Sequence, residues 1–238
     1  METGERHILE VDSVELSFGD RAVLRGACVN LVTGRITALL GRNGEGKSCL
    51  MRVICGRLKS DFKSMRIDSR WRARLSSDEV RYLPQGDFIP PRLRVGEVLR
   101  DFGVDEECFC SDFPSLAGLL GQRVGELSGG ERRIVGFYAV VRSASTFVML
   151  DEPFSQVMPV HVDALKRILR EERARKGILL SDHQFRHVAD CADRLFLLSG
   201  GTVRRIGSAG ELVARGYLPD PGELFGGLGG KDYLCARG

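Results

Sequence analysis

Residues 41 to 48, GRNGEGKS, fit the pattern G-x-x-x-x-G-K-[ST]. Glycines at 41, 44 and 46 let backbone N–H groups converge on an anion, because no side chain holds the loop away from it. Lys47 then supplies a cation that can reach β- and γ-phosphates, and the Ser48 hydroxyl can ligate Mg2+. Arg42, Asn43, Glu45 and Cys49 complete the loop and its exit as candidate nucleotide contacts. Further along, TFVMLDEP, residues 146 to 153, is an apolar run that ends in two carboxylates. Asp151 at the end of such a strand can meet Mg2+ through its water shell, which leaves Glu152 free to hold an attacking water. An apolar strand ending in Asp-Glu is common by itself; downstream of a glycine-lysine loop it reads as the other half of a nucleotidase site. Between the two stands LSGGE, 127 to 131. Its local meaning is a helix start, with Ser128 as N-cap and Glu131 closing a capping box.

These residues need elements to hold them. ILEVDSVELSFGDRAVLRGACVNLVTGRITALLG alternates apolar and polar residues between turn signals, which predicts short antiparallel strands feeding a buried strand over 36–40. SCLMRVICG has helical spacing and stops at Gly56, so the glycine loop sits between a strand and a helix, the setting its chemistry requires. After VRYLPQG the chain carries Pro84, Pro90, Pro91 and Pro114 and only short helical runs, VGEVLRDF and LAGLLGQ. This predicts a helical insertion over 86–126. Alternation then resumes: a helix after Ser128, the strand TFVML, a helix from Val160 to Lys176, the strand GILLS, a helix from Gln184 and the hairpin RLFLLSGGTVRRIG. The expected fold is α/β, a mostly parallel sheet with helices on both faces, an N-terminal antiparallel β subdomain and an inserted α-helical subdomain. One domain spans 1–238, with its nucleotide-binding core in 1–85 and 127–215 and a glycine-rich, aperiodic tail over 216–238.

Composition bounds the partners. The 238 residues include 35 basic and 32 acidic side chains, so bulk charge argues for no polyanionic partner. No apolar run is long enough to span a bilayer, and the N-terminus METGERHILEV is too charged for a signal peptide, which points to a cytosolic chain. Seven cysteines, an odd number, suit a reducing compartment better than a disulfide framework. Cys108 and Cys110 lack a second ligand pair for a metal. The stretch RLKSDFKSMRIDSRWRARLSSDEVR carries eight basic residues against four acidic ones, read as a solvated face with an anionic contact as the alternative.

Taken together, GRNGEGKS, LSGGE and LDE resemble the ATP-binding cassette (ABC) ATPases, over nearly the whole chain. YLPQ, LSGGERR, LDEPFSQVMP and SDHQFRHVADCADRLFLLSGGTVRRIG are most similar to the ATPase subunits of lipopolysaccharide export and branched-chain amino acid import. The resemblance implies a P-loop NTPase core of the RecA-like kind and Mg-dependent ATP hydrolysis. It implies a head-to-tail homodimer in which Ser128, Gly129, Gly130 and Glu131 close on ATP held by the other subunit. In YLPQ it places Gln85 on Mg2+ and the attacking water, beside Ser48 and Asp151. In LLSDH it places His183 on the γ-phosphate, and it sets Phe18 against adenine, although a lone Phe in a strand is as readily core. It further implies a separate integral membrane transporter subunit, a peripheral place on the cytosolic face of a membrane and no nucleic-acid partner. The groove for that subunit would lie around Phe88, Ile89, Leu93 and Val95, unless these form the small core of the insertion.

Two departures from the family's motifs and one rival metal reading stand out. Met158 occupies the position of the family's loop aspartate, which reaches across the dimer. Tyr138 and Ala139 replace part of an alanine-arginine-alanine-leucine stretch. HQFRH spaces His183 and His187 for a zinc site, but Gln184 stands where a zinc protease needs glutamate. A regulatory or soluble cassette with slow turnover is the alternative function.

Overall fold

The computed structural model describes residues 6–183 and 185–217; Gln184 and nearly all of the tail predicted over 216–238 lie outside them. Alternation at the N-terminus gives β1 (Ile8–Phe18) and β2 (Arg21–Val32), a hairpin whose even turn places Phe18 opposite Arg21, followed by β3 (Arg35–Leu40). After the glycine loop, α1 (Lys47–Ile54) ends at Cys55, with Gly56 at φ 67° as the expected stop.

The basic stretch holds structure that its composition hides. It forms β4 (Phe62–Ile67) and the two-residue β5 (Arg70–Trp71), which extend the antiparallel sheet in the order β2-β1-β4-β5. Met65 and Ile67 face the core, while Arg66 bridges Asp12 at 2.6 Å on the neighbouring strand and Arg72 bridges Glu79 at 2.8 Å. Arg57 lies over the Tyr82 ring and Arg81 over Phe102, at 5.5 and 4.9 Å from the centroids. Lys63 donates to the Val53 carbonyl at 2.8 Å, so at least five of the stretch's eight cations are engaged within the fold rather than simply solvated.

β6 (Val80–Leu83) begins the second sheet's far edge, and the insertion follows with α2 (Val95–Asp101), α3 (Glu106–Asp112) and two 3-10 turns at Pro114–Leu119 and Val124–Glu126. The helical run expected in LAGLLGQ is the first of those turns. Then come α4 (Gly129–Arg142), β7 (Phe147–Asp151), α5 (Pro159–Glu172), β8 (Gly177–Ser181), α6 (Phe185–Cys191), β9 (Arg194–Ser199), β10 (Thr202–Ile206) and α7 (Ala209–Ala214). α5 stops four residues before the expected Lys176. The six strands order as β10-β9-β3-β8-β7-β6, all parallel except β10.

Strands covered on both sides read as unbroken apolar runs, and their alternation assigns each residue to a layer. Val148, Leu150, Ile178 and Leu180 pack toward α4, α5 and the insertion; Phe147, Met149 and Leu179 pack toward α1 and the antiparallel sheet. Tyr138, on the departing stretch of α4, is fully buried. Its ring meets Phe109 and Phe113 edge-on at 5.1 and 5.9 Å, and its hydroxyl donates to Asp112 at 2.8 Å. The substitution thus ties the insertion to the core. Val95, expected as part of an exposed groove, is wholly buried in that same cluster; Phe88, Ile89 and Leu93 are half-buried.

Candidate functional site

β3, β6, β7 and β8 are parallel, so their C-terminal ends share one edge of the sheet, where ligands of α/β folds gather. β3 delivers Gly41, β6 delivers Gln85, β7 delivers Asp151 and Glu152, and β8 delivers Ser181 and His183. The loop after β3 folds tightly against its surroundings. A Cβ at Gly41 would sit 2.7 Å from the Leu198 carbonyl oxygen, and one at Gly46, whose φ is 105°, would sit 2.8 Å from the Val23 side chain. Lys47 is the first residue of α1 and only 8% exposed. Its ammonium donates to the carbonyls of Gly41 at 2.7 Å and Arg42 at 3.2 Å. Burial lowers its pKa, against the pull of Asp151, Glu152, Glu45 and Asp182.

A cleft of about 550 Å3 opens over the loop, lined by Phe18, Arg21 and Val23, by Asn43, Gly44, Gly46, Lys47, Ser48 and Cys49, and by Gln85 and Glu152. Phe18 is 54% exposed at the end of β1, which removes the core reading of that residue. Arg42 and Glu45 turn their side chains to the scaffold: Arg42 donates to Gly216 O at 2.8 Å, and Glu45 accepts from Gly200 N at 2.9 Å.

The two carboxylates differ sharply in setting. Asp151 is 1% exposed, and its oxygens accept from the Tyr82 hydroxyl at 3.1 Å and the Ser181 hydroxyl at 2.9 Å. Burial, the Asp151 charge and that hydrogen bond together raise the Tyr82 pKa, so its hydroxyl stays a donor. A carboxylate offers about four lone-pair positions, so Asp151 retains acceptor capacity for a water on a metal. Glu152 stands at the mouth of the cleft with φ 51°, a left-handed conformation that an L-residue resists. It is held there by its N–H to Ser181 O at 2.7 Å and by Arg133, which donates to its carbonyl at 2.8 Å. Its Oε2 accepts from Gln85 at 3.0 Å and Ser155 at 3.1 Å, and His183 Nδ1 lies 3.6 Å away.

Ser128 and Glu131 form the expected capping box: the hydroxyl accepts Glu131 N at 3.3 Å, and the carboxylate accepts Ser128 N at 2.7 Å. Those bonds hold the Glu131 pKa below the usual carboxylate range. None of residues 128 to 131 lines the cleft of its own chain. Gly129 and Gly130 instead pack under Gln156. Added Cβ atoms would sit 2.6 Å from its Oε1 and 2.7 Å from its backbone oxygen. His187 does not join His183: its ring packs edge-on against Phe154 at 5.5 Å. Among the described residues no group of three or more His, Cys, Asp or Glu is placed to hold a metal, and no helix is long and apolar enough to cross a membrane.

Sequence reading missed Tyr82, Ser181, Ser155, Arg21 and Arg133. Arg133 carried the one visible signal, a cation on the otherwise apolar inner face of a helix. It is buried, and it also donates to the carbonyls of Pro84 and Asp151.

The model of the ABC transporter family matches residues 24–155. The lipopolysaccharide export ATP-binding protein LptB of Haemophilus influenzae is 30% identical over 92% of this chain and 98% of its own length. The LptB of Acidithiobacillus ferridurans is 29% identical over 87% and 92%. A solved ATP-binding subunit of an ABC transporter superposes with a TM-score of 0.74 at 23% identity, covering 88% of this chain and 94% of that one, a likeness of fold.

Proposed function

From the premise that the chain belongs to the ABC transporter family, as one of its ATP-binding and ATP-hydrolysing subunits, we propose that it works as a head-to-tail homodimer with two ATP molecules sandwiched between the copies. Lys47 and the loop N–H groups bind the phosphates, and Phe18 stacks on the adenine. Ser48, Gln85 and Asp151 are the oxygen donors for Mg2+, which when bound neutralises charge on the β- and γ-phosphates. Glu152 orients and polarises the attacking water, and His183 meets the γ-phosphate. Ser128, Gly129 and Gly130 start a helix that does not line the cleft of its own chain, and they complete the site of the second copy.

One observation carries the reading. Gln85, Glu152 and His183, from three separate strand ends, converge within 3.0 and 3.6 Å beside the loop that holds Lys47. No local fold requirement brings these three side chains together; water activation at a γ-phosphate does. The partner subunit is an integral membrane transporter protein, in keeping with lipopolysaccharide export for the LptB relatives, and the chain sits on the cytosolic face of that membrane. Half-buried Phe88, Ile89 and Leu93, with Phe102, line a small cavity of about 210 Å3 that offers an apolar seat for it. The exposed Met158 leaves the slow-turnover module as a second reading.

Glu152→Gln tests the sandwich. The amide keeps the size and most hydrogen bonds but loses the charge, so closure survives while water activation fails. ATP with Mg2+ should accumulate a stable dimer of this variant on size exclusion, and wild type should dimerise only transiently. A variant that stays monomeric at saturating ATP removes the mechanism.

A further inference from the structure

On the ATP-binding reading, the two ends of the nucleotide are held by different sheets. Phe18 ends β1 in the antiparallel sheet, whereas Lys47 follows β3 in the parallel one, so the span from base to triphosphate depends on how the sheets are joined near the cleft. A seam lies there, where edge strand β2 meets the turn between β9 and β10. That turn has two residues, Gly200 and Gly201, at φ 59° and 81°, the positive values that a two-residue hairpin turn of this kind requires. Gly201 O accepts the backbone N–H of Arg25 at 2.8 Å, on the strand that begins with Arg21, the cross-strand partner of Phe18. A Cβ on Gly201 would stand 3.0 Å from Val23 O and 3.2 Å from Arg25 N, so turn and strand meet backbone to backbone. Gly200 bonds the phosphate loop instead: its N–H donates to the Glu45 carboxylate at 2.9 Å. Gly46 closes the triangle, since a Cβ there would stand 2.8 Å from the Val23 side chain. Glu45 does not line the cleft, although Asn43, Gly44, Gly46 and Lys47 on either side of it do. Its charge also has the wrong sign for a phosphate contact.

We propose that Glu45 and the Gly200–Gly201 turn form a bracket that fixes the spacing between the base-holding hairpin and the phosphate loop. Glu45 is then a positioning residue and makes no contact with the nucleotide. A ligand that spans two supports binds well only when their separation is set beforehand, so the bracket acts on ATP affinity rather than on the chemical step. The inference rests on the ATP-binding reading of the loop and on Phe18 as the seat of the base.

Glu45→Gln and Glu45→Ala both remove the charge, but only glutamine keeps an oxygen for Gly200 N–H, so the ratio between them isolates the bond. Calorimetry on the full chain with Mg2+ should give an ATP Kd roughly three- to tenfold higher in Glu45→Ala than in Glu45→Gln, the reach of one lost hydrogen bond. KM should move by the same ratio and kcat by less than about twofold. Tripolyphosphate has no base to place, and it should bind the two variants within about twofold of each other. Gly201→Ala should show the same ATP-selective loss, because its Cβ presses on β2. Gly200→Ala carries similar backbone strain but meets nothing within 4 Å, and it should spare ATP binding. Equal ATP Kd in the two Glu45 variants overturns the bracket. So does a matching loss of ATP and tripolyphosphate, which would make Glu45 a brace of the loop alone, or an effect confined to kcat or melting temperature. If Gly201→Ala does not fold, the Glu45 pair decides. A wild type that binds ATP no more tightly than tripolyphosphate overturns the base seat and the bracket with it, whereas a wild type that prefers ATP, with the Glu45 variants alike, overturns the bracket alone.

Discussion

Arg133 is the buried residue on which the geometry of Glu152 most depends. It is 9% exposed and donates to the carbonyls of Pro84, Asp151 and Glu152, so it fastens α4 to the ends of β6 and β7. Burial lowers its pKa, opposed by the fields of Asp151, Asp182 and Glu152. Arg133→Met preserves length and removes the charge and every donor. Each buried acceptor left unpaired costs about 1–3 kcal/mol. Relief of the arginine's own desolvation returns part of that, which leaves a net loss of about 2–4 kcal/mol. For a chain of this size that is a fall in melting temperature of roughly 5–15 °C. The catalytic consequence is separate. Without Arg133 on its carbonyl, Glu152 is free to leave φ 51° for a relaxed conformation, which withdraws its carboxylate from Gln85 and the water position. We expect kcat to fall at least about tenfold, while ATP Kd, set by the Lys47 loop, stays within about threefold. Arg133→Lys should recover only part of either loss, since a single ammonium cannot match the guanidinium's fork of donors. Thermal unfolding, phosphate release and ATP calorimetry on the same preparations read the three quantities. A methionine variant as stable and as fast as wild type, or one that loses ATP affinity in proportion to rate, refutes the argument.

Two further perturbations probe other parts of the molecule. Met158 is the N-cap of α5, makes no side-chain cap and is 60% exposed. Met158→Asp should therefore stabilise the chain by about 1 kcal/mol through capping alone, seen as a small rise in melting temperature. It should also raise the ATPase rate by up to about tenfold if the loop meets a second copy as in the sandwich; a stabilised variant with an unchanged rate would mean that the loop makes no such contact. Lys176 is 1% exposed, and burial pushes its pKa down to about 8 from 10.5, so between those values the unfolded chain binds more protons than the folded one. Unfolding free energy should rise with pH across that window, the full burial penalty applying below it, and denaturant titrations should show that rise flattened in Lys176→Met; a variant with the same slope as wild type would contradict the assignment.

What the sequence made legible is what depends on spacing along the chain. The loop at 41–48, the capping box at 128–131 and the carboxylate pair at 151–152 are local patterns, and each sits on the element its neighbours predict. What stayed hidden depends on residues far apart in sequence that meet only after folding. Tyr82 and Ser181 reach Asp151 across 69 and 30 positions, and no periodicity in either strand marks them as donors. The β4–β5 hairpin was masked because its outward charges are paired across strands rather than placed by alternation with turn residues. Gln156 gives the clearest case. The sequence marks Gly129 and Gly130 as a helix start, and the fold adds what they pack against: the Gln156 side-chain and backbone oxygens stand 2.6 and 2.7 Å from where Cβ atoms on the two glycines would sit. The loop that carries Glu152 at one end and Met158 at the other therefore rests, through Gln156, on the two glycines that start α4 of its own chain. A shift of Glu152 that moves Ser155, bonded to it at 3.1 Å, presses on the next residue and hence on those glycines. The contact joins the Glu152 loop to the start of α4 within one copy, and it does so through a residue that no motif selects.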